Sequence, residues 1–186
     1  MTMTYRTVLI DLDGTLLDSN DAHASAWATA LRNGGFDVSF ADVRERIGMG
    51  SDRLLCELSG LALTDARGQS ITADYAHLFE TVHLRRIAVL PGARDLLARI
   101  KHEGLELVLA TTSRREQAMK LLEHAQLMTP FDHVVTADDG FGSKTAPERV
   151  LGALKQAGAT VSETIAIGDT PYDIAAARAV GVAAIG

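Results

Sequence analysis

The sequence predicts an α/β fold, a doubly wound parallel sheet into which a helical segment is inserted. Three observations carry that reading. Short runs rich in β-branched residues are apolar throughout rather than alternating, as are strands covered on both faces by helices. Helical patterns separate these runs. Between residues 12 and 104 no further strand-like run occurs, although one strand-helix-strand step needs only roughly 30 residues.

In chain order, TVLID at 7–11 reads as the first strand. Helices follow: DAHASAWATALRNGG with Gly34 and Gly35 as its stop, FADVRERIG, SDRLLCELSG with Ser51 as its expected cap, and a long stretch from Ser70 to Arg86. Trp27 and Leu31, four apart, are expected in the core of this helical part. The return to the sheet is marked by Pro91 and Gly92 ahead of the helix in LPGARDLLARIKHEG. Strands are then expected at LELVLAT (105–111), HVVTA (133–137), TIAIGD (164–169) and VAAIG (182–186). The domains are therefore expected to be an α/β core over 1–17 and 89–186, and an α-helical insertion over 18–88.

Composition narrows the function. The 186 residues are 47% apolar, enough for a packed interior, and carry a net charge of -6, which disfavours a broad nucleic-acid surface. No run approaches a membrane span, and no leader segment is apparent at the amino terminus, so a cytoplasmic location is expected. The single cysteine, Cys56, fits a reducing compartment and is expected as a buried structural thiol. The six histidines show no metal-ligand spacing, and Asp138 and Asp139 read as a solvated turn. DGFGSKT, which sits between a strand and a helix, has Ser143 directly before Lys144, where a nucleotide-cradling loop needs a glycine.

In doubly wound sheets, ligands bind at the carboxyl ends of the strands. Strand one ends in Asp11 and Asp13, strand two in Thr111, Thr112 and Ser113, and strand four in Gly168 and Asp169 with Asp173 close behind; Lys144 stands between strands three and four. Several carboxylates at one rim are costly unless a cation or a reaction needs them. A phosphate monoester with Mg²⁺ explains the set: hard Mg²⁺ takes carboxylate oxygens, while Thr111, Thr112 and Lys144 would hold the anionic oxygens. One aspartate can accept a phosphoryl group, and a second, two residues on, can protonate the leaving alkoxide and later activate water.

These residues resemble the motifs of the haloacid dehalogenase superfamily, whose core is Rossmann-like, and within it the phosphatases with an α-helical cap, of the phosphoglycolate phosphatase and β-phosphoglucomutase kind. DLDGTLLDS is similar to the first motif, LVLATTS to the second, the lysine of GSKTAPE to the third and GDTPYD to the fourth. The resemblance implies Asp11 as nucleophile and metal ligand, and Asp13 as acid/base that also gives the metal its backbone carbonyl. It implies Asp169 as a further ligand, Asp173 as one acting through water or orienting Lys144, and Thr15 and Asp18 as supporting members. His23 and Trp27 match a pattern at the start of the cap, and Arg46 and Arg53 fall where relatives carry a specificity loop.

Two departures stand out. Thr145 follows Lys144 where relatives have proline, and relatives continue past VGVAAIG with another strand and helix, so the fifth strand is expected to show an open edge unless a partner covers it. The expected function is a Mg²⁺-dependent phosphatase acting on a small phosphorylated metabolite as a monomer or weak dimer. A dehalogenase has no use for a second carboxyl at position 13. Phosphonate cleavage needs a cap lysine, and no lysine precedes Lys101. A sugar phosphomutase and a non-catalytic phosphate-binding module remain the alternatives.

Overall fold

The computed structural model describes residues 5–128, 130–140 and 146–186, and its centre is β1 (Thr7–Ile10), buried at every position. β1 lies between β2 (Glu106–Ala110) and β4 (Thr164–Ile167), with β3 (His133–Val135) outside β2 and β5 (Ala183–Ile185) outside β4. All four pairings are parallel, with Thr7 level with both Glu106 and Thr164. This is the doubly wound arrangement expected.

The strands lack alternation because both faces are covered. Val8, Ile10, Leu107 and Leu109 enter one apolar cluster, together with α5 (Ala93–His102) and α6 (Arg115–His124). Leu9 and Val108, pointing the other way, enter a second with α7 (Ala146–Ala157) and α8 (Pro171–Ala179).

Between β1 and β2 the chain is helical: α1 (Asn20–Asn33), α2 (Phe40–Arg44), α3 (Ser51–Ser59) and α4 (Ala66–Leu78). α1 buries Trp27 and Leu31, and Trp27 stacks on Tyr75 of α4 with ring centroids 4.1 Å apart. The outward and return crossings of the chain run side by side, with Asp18 N–H donating to the Ala88 carbonyl and Leu90 N–H to the Leu16 carbonyl, both at 2.9 Å.

Three local expectations are corrected. Ser51 does not cap α3; Gly50, at φ +97°, holds that position, and Ser51 is the first helical residue. The long helix starts at Ala66 rather than Ser70, because Gly68 lets the preceding turn lie directly on it, where a Cβ would strike the Ala62 carbonyl. Past Leu78 it widens into a π-helical turn, Phe79–His83, before a 3₁₀ turn at Leu84–Arg86. Cys56 is exposed, since α3 turns Leu54 and Leu55 inward and leaves the next position outward. Among the described residues no helix is long and apolar enough to cross a membrane.

Leu109→Ala, in a fully buried β2 position, should lower the unfolding free energy by about 2–5 kcal/mol. Leu151→Ala, on the exposed face of α7, should change it by under about 0.5 kcal/mol. Urea midpoints of the two variants test this assignment of the core.

Candidate active site

The carboxyl ends of β1 and β4 bring Asp11, Asp169 and Asp173 together, with one carboxylate oxygen of each within 4.8 Å of the others. Each has a local reason to be there. Asp11 N–H donates to the Ile167 carbonyl at 3.0 Å, continuing the β1–β4 ladder one residue beyond the strand. Asp173 is the third residue of α8, where one of its oxygens accepts from Thr170 N–H and hydroxyl in a capping box. That leaves its other oxygen for the cluster. Asp169 accepts from Asn20 Nδ2 at 2.7 Å and Thr15 Oγ1 at 3.3 Å.

Gly14 and Gly168 allow this crowding. Gly14 has φ +81°, and a Cβ on it would collide with Asn20 and Asp169; at Gly168 a Cβ would lie 2.5 Å from Asp173 Cβ.

Asp13 behaves differently. Its side chain leaves the cluster and accepts from Ser19 Oγ at 2.6 Å, Ser113 Oγ at 2.9 Å and His23 Nε2 at 2.9 Å. Burial would raise its pKa, but the His23 charge and these three hydrogen bonds outweigh burial and hold the carboxyl below its ordinary value. Asp11 goes the other way: burial first, then the charges of Asp173, Asp13 and Asp169, push it well above, against a smaller opposing effect of Arg149. Asp169 is also raised, chiefly by burial. Two aspartates one residue apart thus occupy opposite electrostatic environments.

The chain of contacts continues beyond Asp13. Nε2 of His23 lies on Asp13, its Nδ1 is 2.8 Å from the Tyr75 hydroxyl oxygen, and that oxygen accepts from Gln117 Nε2 at 3.1 Å. Burial raises the Tyr75 pKa, so the phenol keeps its proton. His23 is fixed further by stacking on Phe79, with centroids 4.2 Å apart. The network runs from the β1 loop through α1 and α4 to α6.

A cavity of about 50 Å³ lies at this point, bounded by Asp11, Asp13, Thr112, Ser113, Arg46 and Asp173 among others. Thr112 and Ser113 face it, while Thr111 is fully buried beneath, its Oγ1 accepting from Ser113 N–H at 3.1 Å. Arg46 lines the cavity and donates to the Asp42 carbonyl at 2.7 Å. Arg53 is not brought there: it is exposed and faces Glu57 at 3.7 Å. Asp18 is exposed as well, holding the crossing only by its backbone. Lys144 lies outside the described residues. Asp138 and Asp139 are not a free turn, since Asp138 accepts from Arg115 N–H at 2.8 Å and Asp139 pairs with the Arg115 guanidinium at 2.7 Å.

Sequence reasoning missed Asn20, Tyr75, Gln117 and Arg149 as neighbours of the site. Asn20 had a signal, lying directly after the DGTLLDS motif at the start of a helix. Tyr75 and Gln117 had none, because only packing of α4 and α6 makes them meet.

The donor set fits a hard divalent cation: three carboxylates at compatible spacing, with Asp11 and Asp169 destabilised as anions in its absence. The Oδ1 of Asn20, buried next to Asp169, has no hydrogen-bond partner among the described residues.

Residues 8–186 match a family model described as haloacid dehalogenase-like hydrolase. A protein of Dickeya dadantii named "Probable phosphatase IndB" is 35% identical over 184 residues, covering 96% of this chain and 79% of that protein. A phosphoglycolate phosphatase of Pseudomonas fluorescens is 30% identical over 182 residues, covering 95% and 67%. The crystal structure of a hydrolase from Pseudomonas syringae superposes with a TM-score of 0.89 at 30% identity, over 97% of this chain and 84% of that one.

Asp11 and Asp169 titrate above the unfolded carboxyl value of 3.8. Their contribution to stability is therefore intact below that value and is lost as pH rises through the folded-state values. Without metal, Asp11→Asn should raise the melting temperature by on the order of a few degrees near pH 8, with the gain closing below about pH 3, where the wild-type carboxyl is protonated in both states. Calorimetry of both proteins in chelator across this range measures the difference.

Proposed function

We propose that this chain, which belongs to the haloacid dehalogenase-like hydrolases and is a phosphatase of phosphoric monoesters, depends on Mg²⁺ and works through an aspartyl phosphate on Asp11. The observation that carries the reading is the division of labour at the β1 end. Asp11 sits in the carboxylate cluster, whereas Asp13 is turned away from it and held by Ser19, Ser113 and His23.

Asp11, Asp169 and Asp173 would hold Mg²⁺. When bound, the ion supplies the positive charge that keeps Asp11 ionised and offsets charge on the phosphoryl oxygens. A carboxylate oxygen of Asp11 attacks phosphorus, the bond to the leaving oxygen breaks, and Asp13 delivers a proton to that oxygen. The proton comes from the charged His23, whose Nε2–H already lies on Asp13, and Asp13 returns to His23 the proton that it later takes from water. In the second half Asp13 takes a proton from water, the water oxygen attacks phosphorus, and the bond to Asp11 breaks to release inorganic phosphate. Thr112 and Ser113 would contact the phosphoryl group, and Lys144 would supply a cation there.

The substrate is a small phosphorylated metabolite, and residues 18–88 act as a cap over a core of 1–17 and 89–186. Gly48 supports that role: at φ +100°, it brings the loop after α2 so close to Thr170 that a Cβ would lie 2.7 Å from its Cγ2. The cap loop thereby shields the site from water.

Release of inorganic phosphate from a panel of small esters, with Mg²⁺ and with chelator, tests the proposal. Turnover should require the metal, vanish in Asp11→Asn and fall by about 10²–10⁴-fold in Asp13→Asn. Turnover that survives chelation or the loss of the Asp11 carboxylate would remove it.

A further inference from the structure

The cavity beside Asp11 and Asp13, about 50 Å³, has room for a phosphoryl group and little else. Next to it lies a chamber of about 560 Å³, between α4 with its π-helical turn and α6. Ser51, Tyr75 and Gln117 line both spaces. The Tyr75–Gln117 hydrogen bond, at 3.1 Å, joins the two sides of this shared wall. A group leaving from phosphorus and extending beyond the small cavity meets that pair first.

The lining of the chamber says what it takes. Leu63, Ala73, Ala76, Phe79 and Leu84 give it an apolar side, while Gln69, Thr72 and Gln117 offer uncharged hydrogen-bonding groups. Its charged rim is not arranged for an anion. Among the described lining residues, the carboxylates Glu80, Glu116 and Asp138 outnumber the cations Arg114 and Lys120, and Lys120 is spent between Glu80 at 2.8 Å and Glu116 at 2.9 Å. The volume falls within the roughly 300–1,000 Å³ of pockets that take small organic ligands, a size that accommodates a ring. The π-helical turn supplies Phe79 and Glu80 to the wall, and such turns recur at functional sites.

Resting on the proposed phosphatase mechanism, we infer that the chamber is the leaving-group site and that it takes an uncharged, ring-sized alcohol. Phosphate esters of such alcohols are then better substrates than those whose leaving group carries a second anion, such as phosphoglycolate or pyrophosphate. Tyr75 and Gln117 are the gate between the two spaces. Because Tyr75 also holds His23, a leaving group that displaces Gln117 from Tyr75 is felt at Asp13.

The test compares kcat/KM for phenyl phosphate and glucose 1-phosphate with that for 2-phosphoglycolate and pyrophosphate in the full chain with Mg²⁺. The two ring esters should lead by about ten-fold or more. Ala76→Trp and, separately, Ala73→Trp fill the chamber from positions on the exposed side of α4, where added bulk leaves the fold intact, as circular dichroism would verify. Each should cut the ring-to-phosphoglycolate ratio about ten-fold, through a raised KM for the ring esters. Turnover with phosphoglycolate or pyrophosphate favoured, or a ratio unmoved by both tryptophans, overturns the chamber assignment and leaves the phosphatase mechanism standing. Absence of phosphate release from every ester overturns that mechanism and the assignment with it.

Discussion

Gathering Asp11, Asp13, Asp169 and Asp173 at the end of two adjacent strands is an electrostatic problem, and much of the local structure is a response to it. Burial and mutual repulsion raise Asp11 and Asp169. Asp173 is partly satisfied as the third residue of a capping box, and Asn20 and Thr15 donate to Asp169. Asp13 escapes the cluster by turning towards Ser19, Ser113 and His23. The residual strain of charge falls on Asp11 and Asp169, where a divalent cation would relieve it.

That response reaches well past the sheet. His23 belongs to α1 and Tyr75 to α4, both in the helical insertion, while Gln117 belongs to α6 on the sheet side. Holding Asp13 therefore requires the insertion to be seated over the sheet. The seating is supported by the paired crossings at Asp18–Ala88 and Leu90–Leu16 and by the approach of Gly48 to Thr170. It is also supported by packing, since Trp27, Leu55 and Ile71 share one apolar cluster with Leu107 and Leu121. Burial of this kind contributes roughly 25 cal/mol per Å² of apolar surface, whereas each hydrogen bond of the network adds only about 1 kcal/mol net. Packing thus holds the insertion in place, and the hydrogen bonds set what it does to Asp13.

The two cavities follow from the same seating. The small one is closed by the loop after α2, and the large one is left where α4 widens at Phe79–His83 instead of continuing as a regular helix. A site of this shape separates the group that reacts from the group that leaves. In the proposed reading the first would be recognised by the strand ends, the second by α4 of the insertion together with α6.

The parallel sheet, the helical insertion and the rim of aspartates were legible in the sequence because their determinants are local. Unbroken apolar runs mark strands covered on both faces, and the residue that ends such a run must lie at the rim. Helix bounds were less legible where a glycine serves packing, as Gly68 does, and Cys56 was misplaced because a step of one residue, about 100° around the helix, decides which side of α3 faces inward. Thr111, Thr112 and Ser113 look alike in the sequence, yet only the path of the chain after β2 puts Thr111 underneath and the other two on the cavity. Arg46 and Arg53 both reach Glu57, yet only Arg46 lines the cavity. The sequence by itself determined which groups could do chemistry and at which end of the sheet, since strand order and side-chain type are written locally. Only the tertiary structure decided that Asp13 faces His23 rather than the cluster, and that Tyr75 and Gln117 meet across the insertion, because those contacts join residues 10 to 52 positions apart and depend on how separate helices pack.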